Sequence, residues 1–196
     1  LHLCDRRQRQ MCIRDSFEFY RQKMDSRGFE PNVTHRVLAK LEEIGKLDAI
    51  VTQNIDGLHQ LAGSKCVYEI HGTTHKNYCA SCGERVGENY IFETTGIPRC
   101  PKCGGMIRPQ VTLYEEGLPE DAVRGAVDAI RKADTLIVAG TSLNVYPAAS
   151  YVYEFRGNHL IVLNKEPLHV QLNQEKDLFI EAAMGQVFVA LEDALF

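Results

Sequence analysis

The sequence has no apolar run approaching the roughly 20 residues that a membrane-spanning helix needs. Its amino end, LHLCDRRQRQMCIRDS, shows neither the apolar segment nor the small-residue cleavage site of a secretory signal. Positive charge is not in excess either: 22 Lys and Arg stand against 26 Asp and Glu, for a net charge of −4. Nucleic-acid-binding domains ordinarily present a basic face. The expected partners therefore include neither nucleic acid nor membrane. There is no G-x-G-x-x-G, so no nucleotide can be named from a glycine fingerprint. Seven cysteines make an odd number for a disulfide framework, and four of them fall in C-x-x-C pairs. That usage predicts a reducing, cytoplasmic setting.

What is present describes one or two globular domains. The 196 residues are 44% apolar and 24% charged, and a chain of this length buries a substantial core without staples. Val33, Val37, Leu38, Leu41 and Ile44 recur at helical spacing, with Asn32 placed to cap and Gly45 to stop the helix. A buried strand follows at Ala49–Val51 and stops at Thr52-Gln53-Asn54. The alternation repeats: a helix from Pro119, the strand TLIVA, a helix from about Pro147, the strand HLIVLN, a fourth strand in DLFIEA, and a last helix on Val187, Phe188, Leu191 and Leu195. Helices alternating with continuously apolar strands predict an α/β fold with a parallel, Rossmann-like sheet covered on both faces. Such sheets bind ligands beyond the carboxyl ends of their strands. Three of these strands leave small polar residues there: Gln53, Asn54 and Asp56; Gly140, Thr141 and Ser142; Asn164 and Lys165. Glycine and small hydroxyls let a phosphate or ribose approach the backbone, so a nucleotide is the natural candidate.

Cys79-x-x-Cys82 and Cys100-x-x-Cys103 have zinc-ribbon spacing, with seventeen residues between the pairs. Gly83 and Gly104 follow the second cysteine of each pair and supply the turn. Four thiolates close a tetrahedral shell at about 2.3 Å each and leave no open position, which predicts one structural Zn2+. In small zinc peptides the binding energy is on the order of 10 kcal/mol and goes into folding. Cys4, Cys12 and Cys66 lack such spacing and read as ordinary thiols. With four cysteines available, zinc needs neither nearby histidine. His75 reads as an exposed loop residue. His71 closes the strand CVYEI, and an imidazole with an intrinsic pKa near 6.5 suits a general base at neutral pH.

The segments TQNIDGLHQLAG, YEIHGT, the paired C-x-x-C units, IRPQVTLYEEGLP, GTSLNVYPAA and IVLNKEP occur in order. Together they resemble the sirtuin family of NAD-dependent protein lysine deacylases, the bacterial or archaeal type most closely, from about Phe17 onward. The resemblance implies NAD as cofactor and an acyl-lysine protein or peptide as substrate. The acyl group passes to ADP-ribose with release of nicotinamide. His71, in YEIHG, matches the base that deprotonates the ribose hydroxyl. Gln53, Asn54 and Asp56 match the residues around the ribose and the nicotinamide amide. Gly140, Thr141 and Ser142 match the loop on the phosphate and ribose side, Asn164 and Lys165 the adenosine ribose, and Met184 the adenine contact.

In much of the family the stretch after R-P reads V-x-F-G-E, and its backbone pairs with the substrate peptide as an added strand. Here it is VTLYEE. The resemblance implies that Val111 packs on the lysine stem, that Tyr114 and Glu115 replace Phe-Gly, and that Glu116 is kept. The charge at Glu115 predicts a preference for basic residues beside the acyl-lysine. The family's first strand and its G-A-G-I-S loop have no counterpart, which predicts a chain truncated at its amino end and short of backbone N–H groups for the phosphates. The expected organisation is a disordered or foreign segment at 1–16, a Rossmann-like domain at 17–75 and 109–196, and a zinc lobe at 76–108. Besides the active enzyme, two readings stay open on the sequence: a catalytically inactive fragment and a zinc-ribbon binding module. A zinc deaminase is excluded, because His71 is followed by Gly72-Thr73 rather than x-Glu, and Pro101 lies inside the cysteine pair.

Overall fold

A computed structural model describes residues 2–113, 115–168 and 171–196, with side chains from Ile13 onward. In chain order the elements are α1 (His2–Lys23), α2 (Val33–Glu43), β1 (Ile50–Thr52), α3 (Leu58–Leu61), β2 (Val67–Glu69), β3 (Gly72–Cys79), β4 (Arg85–Val86), α4 (Tyr90–Glu93), β5 (Ile107–Val111), α5 (Glu120–Lys132), β6 (Thr135–Ala139), a 3-10 helix (Ala148–Glu154), β7 (His159–Asn164), β8 (Leu178–Glu181) and α6 (Met184–Leu195). The chain divides into two compact units. Unit 1 is Leu1–Phe29, Asn54–Gly57 and His71–Glu116; unit 2 is Glu30–Gln53, Leu58–Ile70 and Gly117–Phe196.

Unit 2 holds the parallel strands. β6, β7 and β8 form one ladder, with Val138 opposite Val162 and Val162 opposite Phe179. Alternation along β7 explains its continuous apolar sequence. Leu160 and Val162 pack with Val138 on one side, while Leu163 packs with Val37 of α2 and Phe188 of α6 on the other. Asn32 caps α2 as the sequence predicts. Its side chain accepts from the His35 N–H while its own N–H donates to His35 Nδ1, so His35 takes the part usually played by Glu or Gln in a capping box. β1 and β2 form a second parallel ladder, Ile50 opposite Val67 and Thr52 opposite Glu69. Among the described residues no ladder joins the two sets of parallel strands. The segment from Pro147 is a 3-10 helix rather than an α-helix.

Unit 1 is built on the antiparallel order β4-β3-β5. The register of β3 against β5 shifts between Thr73 and Asn77. Its core joins Cys79, Cys100 and Ile107 to Ile91 of α4 and Phe17 of α1, with Ile13 and Tyr20 packed against them. The Arg21 guanidinium fastens the same helix by donating from Nε to the Ile91 carbonyl at 2.8 Å and from Nη2 to the Gly96 carbonyl at 2.7 Å. Where a disordered or foreign segment is expected at 1–16, residues 2–16 form the first part of α1. The residues of α1 that pack on this core are Ile13, Phe17 and Tyr20, spaced four and three apart on one face. The unit that contains the cysteines is correspondingly larger than the expected lobe at 76–108, and it takes in residues 17–29 and 71–75.

Candidate active site and metal centre

The four cysteines come together. The sulfurs of Cys79, Cys82, Cys100 and Cys103 all lie within 4.8 Å of one another, with 3.5 Å between Cys79 and Cys103, 3.8 Å between Cys82 and Cys100 and 3.4 Å between Cys82 and Cys103. A tetrahedron with bonds of about 2.3 Å has edges of about 3.8 Å. A disulfide would need about 2.05 Å. Both knuckles have the same construction. The Gly83 and Gly104 N–H groups donate to the Cys79 and Cys100 carbonyls at 2.9 Å, and both glycines sit in the left-handed region at φ +73° and +71°. Backbone N–H groups of Ser81, Lys102 and Gly105 point at the sulfurs of Cys79, Cys100 and Cys103, each at 3.4 Å. Burial opposes ionisation of the Cys79 thiol, but the N–H groups of Cys82 and Ser81 and the neighbouring thiols bring it down to about 6. For Cys103 the Gly105 N–H favours the thiolate, while the hydrogen bonds to Cys82 and Cys79, together with burial, push it up to about 12. Four clustered sulfurs that cannot all ionise by themselves are a donor set suited to a soft divalent cation. The residues fit one structural zinc ion. Neither His71 nor His75 belongs to the cluster.

In unit 2 the expected ligand residues lie at the carboxyl ends of the parallel strands. Gln53 follows β1; Gly140, Thr141 and Ser142 follow β6; Asn164 ends β7 with Lys165 after it; Met184 opens α6 just beyond β8. Backbone bonds lock three of these ends together. The Gly140 N–H donates to the Leu163 carbonyl at 3.1 Å, and the Ala182 N–H to the Asn164 carbonyl at 3.2 Å. Gly140 is at φ +61°, and a Cβ there would touch the Met184 thioether at 3.5 Å. Thr141 Oγ1 accepts the Leu143 N–H at 3.1 Å and so shapes the turn. Asn164 Nδ2 donates to the Glu166 carbonyl at 2.9 Å. The result is an edge with an open glycine, hydroxyls, a carboxamide, an ammonium and a thioether, which suits a ribose, a phosphate and a flat base. The residues fit the adenosine side of NAD.

β1 and β2 run parallel, and the Ile70 N–H donates to the Thr52 carbonyl at 3.1 Å. The chain then passes into unit 1 at Asn54 and at His71. There the Thr74 N–H and Oγ1 both donate to the Ile55 carbonyl at 3.0 Å, and His75 Nε2 lies 2.9 Å from the Asp56 carbonyl oxygen. His71 is half-buried, and its carbonyl accepts the Thr112 N–H at 2.9 Å. Gly72 pairs with Val111 at φ +79°, and a Cβ on it would lie 2.0 Å from the Gln110 carbonyl oxygen. His71, Val111 and Thr112 are thus adjacent. Glu116 turns back on the strip. Its carboxylate accepts from Arg108 Nη2 at 2.8 Å and from the Leu113 N–H at 3.0 Å, and these two donors hold it below the usual carboxylate range. Glu115 is exposed at φ +71°, a conformation that costs a residue with a side chain about 1–2 kcal/mol. Tyr114 lies outside the described residues.

Sequence reasoning missed His75 and the Arg108–Glu116 brace. His75 is exposed as expected, but it belongs to β3 rather than to a loop, and its ring lies against the Asp56 carbonyl. A signal was available in Thr73 and Thr74, polar residues of a strand that the structure buries.

A model of the Sir2 family matches residues 3–147. A protein of Clostridium acetobutylicum named NAD-dependent protein deacetylase is 55% identical over 174 residues, which take in 88% of this chain and 70% of that protein. One of the same name from Clostridium perfringens is 53% identical over 172 residues, 87% of this chain and 70% of that one. Among solved structures, a Sir2–p53 peptide–NAD+ complex matches with a TM-score of 0.81 and 34% identity over 91% of this chain and 78% of that one. A Sir2 complex with the inhibitor EX-527, 2'-O-acetyl-ADP-ribose and deacetylated p53 peptide matches with a TM-score of 0.82 and 33% identity, with the same coverage of both chains.

The purified protein is expected to carry one zinc ion per chain by atomic absorption. Cys100→Ser replaces a buried ligand; it is expected to lose the ion and to destabilise the protein by several of the order-of-10 kcal/mol that such sites supply. One zinc per chain in that variant, with an unchanged melting curve, would contradict the assignment.

Proposed function

The chain belongs to the Sir2 family, and from that premise we propose that His71 is its general base and that the residues at the strand ends hold NAD. The protein is an NAD-dependent protein deacylase that acts on acyl-lysine in proteins or peptides, with the acyl group passing to ADP-ribose. Bound NAD supplies the acyl acceptor, with nicotinamide as its leaving group. Gln53, Asn54 and Asp56 offer amide and carboxylate groups to the nicotinamide amide and its ribose. Gly140, Thr141 and Ser142 offer backbone N–H and hydroxyl groups to the phosphate and ribose side, and Asn164 and Lys165 reach the adenosine ribose. The Met184 thioether packs on the base. The His71 imidazole takes the proton of a ribose hydroxyl, which makes that oxygen a nucleophile toward the acyl carbon. Zinc is held by Cys79, Cys82, Cys100 and Cys103 and cross-links the small unit.

The observation that carries this reading is the adjacency of His71 to Val111 and Thr112 on the β3–β5 ladder. It supports a peptide lying as an extra strand along the strip, with the lysine stem on Val111 and the acyl group near the imidazole. Glu116, held by Arg108 and the Leu113 N–H, shapes the strip that the peptide would follow. Cysteines committed to a metal rather than to disulfides suit a reducing, cytoplasmic setting. Among the described residues no helix is long and apolar enough to cross a membrane.

Nicotinamide release from NAD and an acetylated peptide is the direct assay. His71→Ala is expected to lower kcat by about 10²–10⁴-fold, the usual worth of a positioned general base, with zinc content unchanged. Equal turnover by the variant would overturn the assignment, and no turnover by the native chain would favour the inactive-fragment reading. Glu115 places an exposed carboxylate on the strip, so peptides with Lys or Arg beside the acyl-lysine are expected to show a lower KM than peptides with Glu there. Equal KM values across such a panel would contradict that preference.

A further inference from the structure

We propose that His75 is a positioning residue, a protonation-dependent clamp that holds the Asn54–Gly57 loop in its ligand-binding shape. The inference rests on the reading that Asn54 and Asp56 bind NAD. The ring of His75 bridges two groups: Nε2 lies 2.9 Å from the Asp56 carbonyl oxygen, and Nδ1 lies 3.2 Å from Glu88 Oε2. Both partners are acceptors. A neutral imidazole carries one N–H and can donate to only one of them, whereas the imidazolium donates to both. Only the charged form satisfies both acceptors at once.

The contact is close and built into the backbone. A Cβ on Gly57 would stand 2.6 Å from His75 Nε2 and 2.8 Å from Cδ2, so the ring lies against bare backbone that no other residue type would offer it. Thr74 holds the neighbouring Ile55 carbonyl with both its N–H and its hydroxyl. Consecutive residues of β3 thus grip consecutive carbonyls of the loop. They do so where the β3–β5 register shifts, between Thr73 and Asn77, a kind of irregularity that re-aims side chains next to functional sites. The charged groups around the ring fall on both sides of the balance. Glu88 faces it beyond β4 and favours the imidazolium, as does the Asp56 backbone carbonyl that lies against Nε2. Lys76 beside it and Arg85 of β4 line the same cavity of about 310 Å³ and oppose it. The clamp is closed while the imidazole is protonated. When the ring loses its proton at higher pH, the one remaining N–H goes to the stronger acceptor, the Glu88 carboxylate, so the bond to the Asp56 carbonyl is lost and the loop loosens.

The test combines calorimetry with NAD and hydrogen exchange of the loop amides, on the full chain at about pH 6 and about pH 8.5, either side of an ordinary imidazole titration. In the native chain the Kd for NAD is expected to rise by roughly tenfold between the two, the worth of one hydrogen bond to a charged group. His75→Gln is expected to show the weaker binding at both pH values, with zinc content unchanged. Glu88→Gln removes only the exposed carboxylate; it is expected to keep the fold and move the rise in Kd to lower pH. Amides 55–57 are expected to exchange faster in His75→Gln than in the native chain at about pH 6, a readout that needs no bound NAD. Equal loop exchange in native and variant would overturn the clamp, as would a pH dependence of Kd that survives His75→Gln. Asp56→Ala separates the two layers. If it leaves Kd unchanged, the assignment of Asp56 to NAD has failed. If it weakens binding while the His75 and Glu88 variants behave as native, only the clamp has failed.

Discussion

The site depends on one close approach. β3 meets β5 at Gly72 with no room for a side chain, since any Cβ would collide with the Gln110 carbonyl oxygen. That contact sets His71 beside Val111 and Thr112. The same ladder ends, seven residues on, with Cys79 opposite Ile107, the first knuckle of the metal centre. At about 3.3 Å per residue, the proposed base and the metal site stand at opposite ends of one strand on the order of 20 Å long. The zinc site therefore has a bearing on chemistry without taking part in it: it fixes the far end of the ladder that carries His71.

The two units are stabilised by different means. Unit 2 follows from burial. β7 is apolar on both sides, with α2 and α6 on one of them, and Val162, Leu163 and Phe188 are almost wholly inside. Unit 1 has short strands and a small core, of which Cys79 and Cys100 are themselves members. Small cores need added constraints. Here they come from the four sulfurs and from α1, whose Phe17 enters the core and whose Arg21 binds the carbonyls of Ile91 and Gly96.

Much of this was legible in the sequence because it is local. C-x-x-C-Gly repeated at ribbon spacing is a metal knuckle wherever it folds, and Asn32 caps a helix through its own turn. Apolar runs that stop at Thr52, Ala139 and Asn164 mark strand ends in any parallel sheet. The less legible features are long-range or concealed by composition. α1 is less legible because its Arg- and Gln-rich first part contributes only Ile13 to the packed face, while Phe17 and Tyr20 lie beyond that part. The His75–Asp56 contact joins residues nineteen apart, and its meaning depends on both partners being acceptors, which no motif records. The ion pair that Glu116 makes with Arg108, eight residues earlier, is likewise recorded by no motif.

The central claim is that the β3–β5 approach at Gly72 carries the catalytic geometry. The measurement that tests it most directly is nicotinamide release by Gly72→Ala, run beside its zinc content. The account predicts one zinc ion per chain, as in the native protein, with turnover lower by at least about 10²-fold, since a shift of about 1 Å in a catalytic group suffices for that. Turnover within twofold of the native chain, with zinc retained, would contradict it.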